Sequence, residues 1–171
     1  MISSTTSPGA VGSLVPHITG ASVIVNTPRV LIVEDHDDSR QMLRVLLEMK
    51  RCQVFEACNG LEAVEIAGRE QPDLILMDGS LPLLDGLSAT RRIRENVELR
   101  EVLILALNGW GTPAFHAAAL AAGCDDCIPK PIDFEQLESF ILPLFKSSAV
   151  ALVRAAGKTT PTVKFRSFDN P

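Results

Sequence analysis

The feature that most limits how this chain can fold is Leu74 to Gly86, LILMDGSLPLLDG. An uninterrupted apolar run there ends on one carboxylate, Asp78, and passes at once into a loop marked by glycine and proline. Apolar residues without a polar break suit a strand buried on both faces, as in a parallel sheet covered by helices. Gly79, Pro82 and Gly86 then force the chain out of the sheet. Asp78 is thereby delivered to a strand's carboxyl end, where open α/β sheets bind ligands.

Val30 to Arg40, VLIVEDHDDSR, repeats the design: an apolar run, the adjacent acids Glu34 and Asp35, then a helix start that Asp37 or Asp38 is expected to cap. If the two strands are neighbours, Glu34, Asp35 and Asp78 gather at one edge. Two unit charges about 4 Å apart repel by roughly 4 kcal/mol at an effective dielectric near 20, so such a site calls for a cation. Oxygen ligands favour a hard ion, Mg²⁺ first. Ala121 to Ile132, AAGCDDCIPKPI, supplies a countercharge in Lys130, held between Pro129 and Pro131 after a short strand ending near Ile128. Three carboxylates, Mg²⁺ and one lysine leave a nearly neutral site that can accept a phosphoryl group. An aspartate can serve as its nucleophile and form an acyl phosphate, while the cations neutralise the transferred oxygens.

In combination, the acidic pair after the first strand, MDG-x-LP-x-LDG after the third and K-P after the fifth resemble the receiver domain of two-component response regulators, from about residue 28 to 146. The resemblance implies that Asp78 is phosphorylated by a sensor histidine kinase or a histidine phosphotransfer protein. It also implies that Asp35 and Asp78 coordinate Mg²⁺ with the Ser80 backbone carbonyl, Glu34 acting mainly through water. Lys130, Asn108 and Gly109 would contact the phosphoryl group, and Lys130-Pro131 is a candidate cis peptide.

Strands are expected at 30–34, 53–57, 73–78, 102–107 and 126–129, and helices near 38–50, 61–70, 86–96, 113–122 and 133–145, with further helical turns through Ala156 that Gly157 stops. Leu43, Leu46 and Leu47 form the inner stripe of the first helix, Leu61, Val64, Ile66 and Ala67 that of the second, and Leu137, Ile141 and Leu144 that of the last. Asp85 is expected to cap the third helix. Right-handed crossovers give an α/β fold: a flavodoxin-like, doubly wound, five-stranded parallel sheet in the order 2-1-3-4-5 with five helices. That order sets Asp35 beside Asp78.

At 171 residues with 46% hydrophobic content, the chain has room for one such domain and two tails. Residues 1–27 carry no Lys or Arg and are rich in Ser, Thr, Gly and Pro, so they read as a disordered leader with a candidate short strand at Ser22–Asn26. Residues 147–171 read as a basic, mostly disordered tail. Residues 28–145 hold 11 basic and 20 acidic residues, net −9, which argues against specific nucleic-acid binding. No span of roughly 18 apolar residues is present to cross a bilayer, and a cytoplasmic protein is the expectation. Among the four cysteines, Cys124 and Cys127 form a C-x-x-C that reads better as buried reduced thiols than as a redox pair or half a zinc site.

Two positions depart from the pattern that the resemblance implies. Asn108 stands where the fourth strand ends in Thr or Ser, and Cys127 where the fifth carries an aromatic ring; in the family these two positions form the switch. Cys127 has no ring to reposition, so a muted response is expected at the face of helix four, strand five and helix five. Trp110 is a further candidate for packing or partner contact. The function expected is a single-domain response regulator that signals through an unidentified protein target or a phosphorelay. It is not an enzyme, apart from any slow self-dephosphorylation. The alternatives are a docking module read without phosphorylation, which Asn108 and Cys127 favour, and a redox or metal protein built on Cys124 and Cys127.

Overall fold

The computed structural model describes residues 27–109 and 112–156. Strands β1 (Arg29–Val33), β2 (Gln53–Ala57), β3 (Leu74–Asp78), β4 (Leu103–Asn108) and β5 (Asp126–Pro129) form one parallel sheet in the order β2-β1-β3-β4-β5. Helices α1 (Asp37–Met49), α2 (Gly60–Glu70), α3 (Gly86–Glu95), α4 (Pro113–Ala122) and α5 (Phe134–Ala156) connect and flank the strands, with a 3-10 turn at Val97–Leu99. This is the flavodoxin-like architecture expected, and its strands fall within a residue or so of their expected limits.

Successive strand residues point to opposite faces, so the alternation along β1, β3 and β4 divides the core in two. Leu31, Val33, Ile75, Met77, Ile104 and Ala106 pack with Ala63, Ala67, Ala89 and Ile93 of α2 and α3. Val30, Ile32, Leu74, Leu76, Leu105 and Leu107 pack with Leu43 and Leu47 of α1 and with Leu137 and Ile141 of α5. Every residue of β3 is buried, because helices cover both of its faces.

Two local expectations are corrected. Neither Asp37 nor Asp38 is the α1 cap: His36 occupies that position without a capping side-chain bond, and both acids lie in the first turn. Acids gain there from the helix dipole, and Asp37 pairs with Arg40 at 2.5 Å. Leu61 is 46% exposed; the buried residues of α2 are Gly60, Ala63 and Ala67, since small side chains let the helix approach the sheet and α3 closely. α5 runs as one helix to Ala156, as expected, and passes through the exposed Pro143. Asp85 does cap α3, accepting the Ser88 amide hydrogen at 2.9 Å. The expected leader, including Ser22–Asn26, Trp110 and the tail beyond Ala156 lie outside the described residues.

The turn from β3 into α3 closes on a glycine. A Cβ at Gly86 would overlap the Asp78 carbonyl oxygen, whereas one at Gly68, within α2, meets nothing within 4 Å. Gly86→Ala should therefore destabilise by about 1–3 kcal/mol as the backbone shifts. Gly68→Ala should stabilise by about 0.5–1 kcal/mol through helix propensity. Urea denaturation of the two variants checks the opposite signs.

Candidate functional site

The strand register builds the site. Val33 pairs with Met77, so the next residues, Glu34 and Asp78, stand side by side at the carboxyl edge of the sheet. The Glu34 amide donates to the Ala57 carbonyl at 3.1 Å, and the Gly79 amide to the Leu107 carbonyl at 3.1 Å, fixing both chain exits. On the other side Asn108 pairs with Pro129, and the Lys130 amide donates to the Asn108 carbonyl at 2.7 Å. Lys130 thus begins at the end of β4, from where its side chain reaches back to β3 and β1. The Lys130–Pro131 peptide is cis.

Lys130 Nζ donates to Asp78 Oδ2 at 2.8 Å and to Glu34 Oε2 at 2.6 Å. Glu34 and Asp78 are only 1% and 7% exposed, so the ammonium is held by two carboxylates with little access to water. Desolvation pushes the Lys130 pKa down, but the bonds to Asp78 and Glu34 outweigh it and raise the pKa above 10.5. Asp78 Oδ1 accepts the Ser80 amide hydrogen at 3.1 Å. Arg40 Nη1 donates to the Glu34 carbonyl at 2.8 Å and braces the β1–α1 turn.

Asp35 is partly exposed, and its Oδ1 lies 2.8 Å from His36 Nδ1. That contact, with Glu34 nearby, raises the His36 pKa. Glu34 Oε1 is buried without a hydrogen-bond partner among the described residues; His36 Nδ1 lies 3.4 Å away. A buried carboxylate oxygen left open, beside the carboxylates of Asp35 and Asp78, has the donor chemistry that suits Mg²⁺.

Of the remaining expected residues, Asn108 is buried at the end of β4 and Gly109 is exposed beyond it. Cys127 is half-buried and lines a cavity of about 370 Å³ with Asn108, Thr112 and Phe115. Phe115 was not expected at the site. Its ring covers Gly79, where a Cβ would come within 2.6 Å of Cε2 and Cζ. The sequence signal was slight: one aromatic residue in the alanine-rich PAFHAAALAA of α4.

All four cysteines are free. Burial pushes the Cys127 thiol up to about 11 and also raises Cys124, so both are poor nucleophiles at neutral pH. Cys124 instead packs against Thr90 Oγ1 at 3.7 Å. The redox and zinc reading therefore has no chemical support beyond the C-x-x-C spacing. Among the described residues, no helix is long and apolar enough to cross a membrane.

A five-stranded α/β sheet carrying carboxylates on adjacent strand ends and a lysine after the last strand is the arrangement of a phosphoacceptor domain. Residues 30–142 match the response regulator receiver domain family, and the chain belongs to that family. The polar-differentiation response regulator DivK of Brucella anthropi is 33% identical over 116 residues, which cover 66% of this chain and 94% of that protein. The receiver domain of a sensor histidine kinase of Pseudomonas aeruginosa PAO1, with magnesium coordinated in its active-site cleft, is 32% identical with a TM-score of 0.65, covering 71% of this chain and 99% of that one. The co-crystal structure of the Saccharomyces cerevisiae histidine phosphotransfer protein Ypd1 with the receiver domain of Ssk1 contains a chain 30% identical to this one, with a TM-score of 0.61. The match covers 67% of this chain and 86% of that chain. The chain is thus a receiver-domain protein of two-component signal transduction.

Because the Lys130 pKa is raised on folding, the stability it contributes is complete below 10.5 and is lost as pH climbs through the folded-state value. Lys130→Met should cost about 2–3 kcal/mol at pH 7, toward the low end for a broken buried pair because the ammonium retains some solvent contact. Denaturant titrations between pH 8 and 11.5 should show a steeper decline above pH 10.5 in wild type than in this variant, the buried thiols adding the same decline to both.

Proposed function

We propose that the protein receives a phosphoryl group on Asp78 from a histidine kinase or a histidine phosphotransfer protein, and signals by binding a protein target or passing the group on. The observation that carries this reading is Lys130 bridging Asp78 and Glu34 beside the open Glu34 oxygen. In the transfer, an Asp78 carboxylate oxygen attacks phosphorus, the P–N bond of the phosphohistidine breaks, and the departing imidazole nitrogen keeps the electron pair. Lys130 faces the nucleophile and offsets the charge carried by the incoming oxygens. The Ser80 amide holds Asp78 Oδ1, which fixes the carboxylate's orientation.

Asp35 and Asp78 would hold Mg²⁺ with the Ser80 carbonyl, and Glu34 through water. When bound, the ion supplies Lewis-acid stabilisation to the transferred oxygens. Any slow return of the phosphoryl group to water belongs to the same site, and we assign the cycle to the cytoplasm. A phosphodonor protein must approach the edge that holds Asp78. The neighbouring flank exposes Met42, Val45 and Phe134, which line one shallow groove with Asp38 and Leu46, and this apolar strip suits a helical partner.

For the response, Phe115 supplies the ring that Cys127 does not. Phosphorylation adds about −1.5 to −2 charge and three acceptor oxygens next to Gly79, drawing Asn108 and Lys130 toward Asp78. The Phe115 ring, seated on Gly79, is the large group placed to move in response, so the change should centre on α4 and not on β5.

Asp78→Asn should abolish labelling by acetyl phosphate and Mg²⁺ while preserving the fold, since the amide is nearly isosteric but not nucleophilic; phosphoryl incorporation into that variant, read by intact-protein mass spectrometry, would refute the assignment. Asp35→Ala should remove Mg²⁺-dependent uptake more completely than Glu34→Ala. Beryllofluoride should shift amide NMR signals of α4 strongly in wild type and weakly in Phe115→Ala. A weak response in wild type as well as in the alanine variant would favour the phosphorylation-independent docking module, and a strong response in both would remove Phe115 from the readout.

A further inference from the structure

His36 is not absorbed by the phosphoacceptor reading. Its side chain does not cap α1, although it occupies the cap position, and it is turned instead toward the acids. Nδ1 lies 2.8 Å from Asp35 Oδ1 and 3.4 Å from Glu34 Oε1. One donor atom from each of the three residues falls within a common span of 4.8 Å, the scale of a single coordination sphere. An exposed histidine beside acids would ordinarily be a surface ion pair. The independent observation is Glu34, 1% exposed, whose Oε1 has no hydrogen-bond partner among the described residues while Oε2 is engaged by Lys130. A buried open acceptor directed at an imidazole nitrogen leaves a place for a cation between them.

We propose that His36 adds a nitrogen donor to this carboxylate site, so that the protein binds first-row transition ions of the Co²⁺, Ni²⁺ and Zn²⁺ type in preference to Mg²⁺. Mg²⁺ prefers oxygen ligands and retains its water, whereas imidazole favours later divalent ions and their affinity rises along the Irving–Williams series. Asp35 Oδ1 supplies oxygen and His36 Nδ1 supplies nitrogen, with the open Glu34 Oε1 facing the ion through water. The inference rests on these acids binding a divalent cation, not on phosphorylation.

The test uses the full chain with Ni²⁺ and Mg²⁺ as separate probes in titration calorimetry, and Mn²⁺ as a spin probe for nitrogen coupling from imidazole. His36→Gln preserves size and leaves the fold-determining residues untouched, which circular dichroism checks. The expected result is a loss of Ni²⁺ affinity of at least about tenfold, the lower range for disturbing a metal site, with Mg²⁺ affinity almost unchanged. Wild-type Mn²⁺ should show a nitrogen coupling that the variant lacks. Ni²⁺ affinity that survives in His36→Gln but falls in Asp35→Ala would overturn the role of His36 and leave the carboxylate site standing. Failure of both Ni²⁺ and Mg²⁺ to bind wild type would overturn this inference together with the cation reading of the site.

Discussion

One ammonium between two buried carboxylates sets the geometry on which the rest of the site depends. Glu34 and Asp78 lie on adjacent strand ends, and both are almost wholly removed from water. Left alone, the two carboxylates would repel each other. Lys130 prevents this from just beyond β5, a strand that pairs with neither β1 nor β3. Its reach depends on the backbone bond from Lys130 to Asn108, which starts the side chain above β4, and on a flexible four-carbon stem that spans the remaining distance.

Stability alone does not explain such an arrangement. Buried ion clusters seldom repay their desolvation, and an apolar replacement of similar shape is often as stable or more so. The acids also sit at the strand ends of an α/β sheet, where ligands bind, and one carboxylate oxygen remains open to a further partner. Charges kept under unfavourable solvation at a sheet edge are characteristic of chemistry carried out there. The sheet bears that cost with an otherwise apolar interior in which all the residues of β3 are buried.

The strands were legible because unbroken apolar runs such as LILM and VLIV have few alternatives in a chain of this size, and the order followed from the handedness of crossovers. The acids and lysine were legible because charge stands out at the end of an apolar run. Three features were not. The α2 face escaped because Ala63 and Ala67 weigh little in a hydrophobic pattern, whereas Leu61 weighs much and yet is exposed. The helix cap escaped because Asp is the better capping residue in general, while here Asp37 is engaged by Arg40 from within the first turn. Phe115 escaped because α4 has apolar residues on every side, so periodicity cannot say which one faces the sheet.

That last point separates the chemistry of this site from its readout. The acids and Lys130 are fixed by strand register, and hydrogen bonds at 2.6 and 2.8 Å leave little freedom in where they meet. The neighbouring flank is held by dispersion between a ring and a glycine, beside a cavity of about 370 Å³ that gives the ring room to relocate. Packed interiors respond to a local charge by passing between discrete arrangements, and a large side chain next to empty space provides two. With a thiol at position 127, β5 offers no comparable group. On the reading proposed above, the path from Asp78 outward would run through Gly79 to Phe115 and α4.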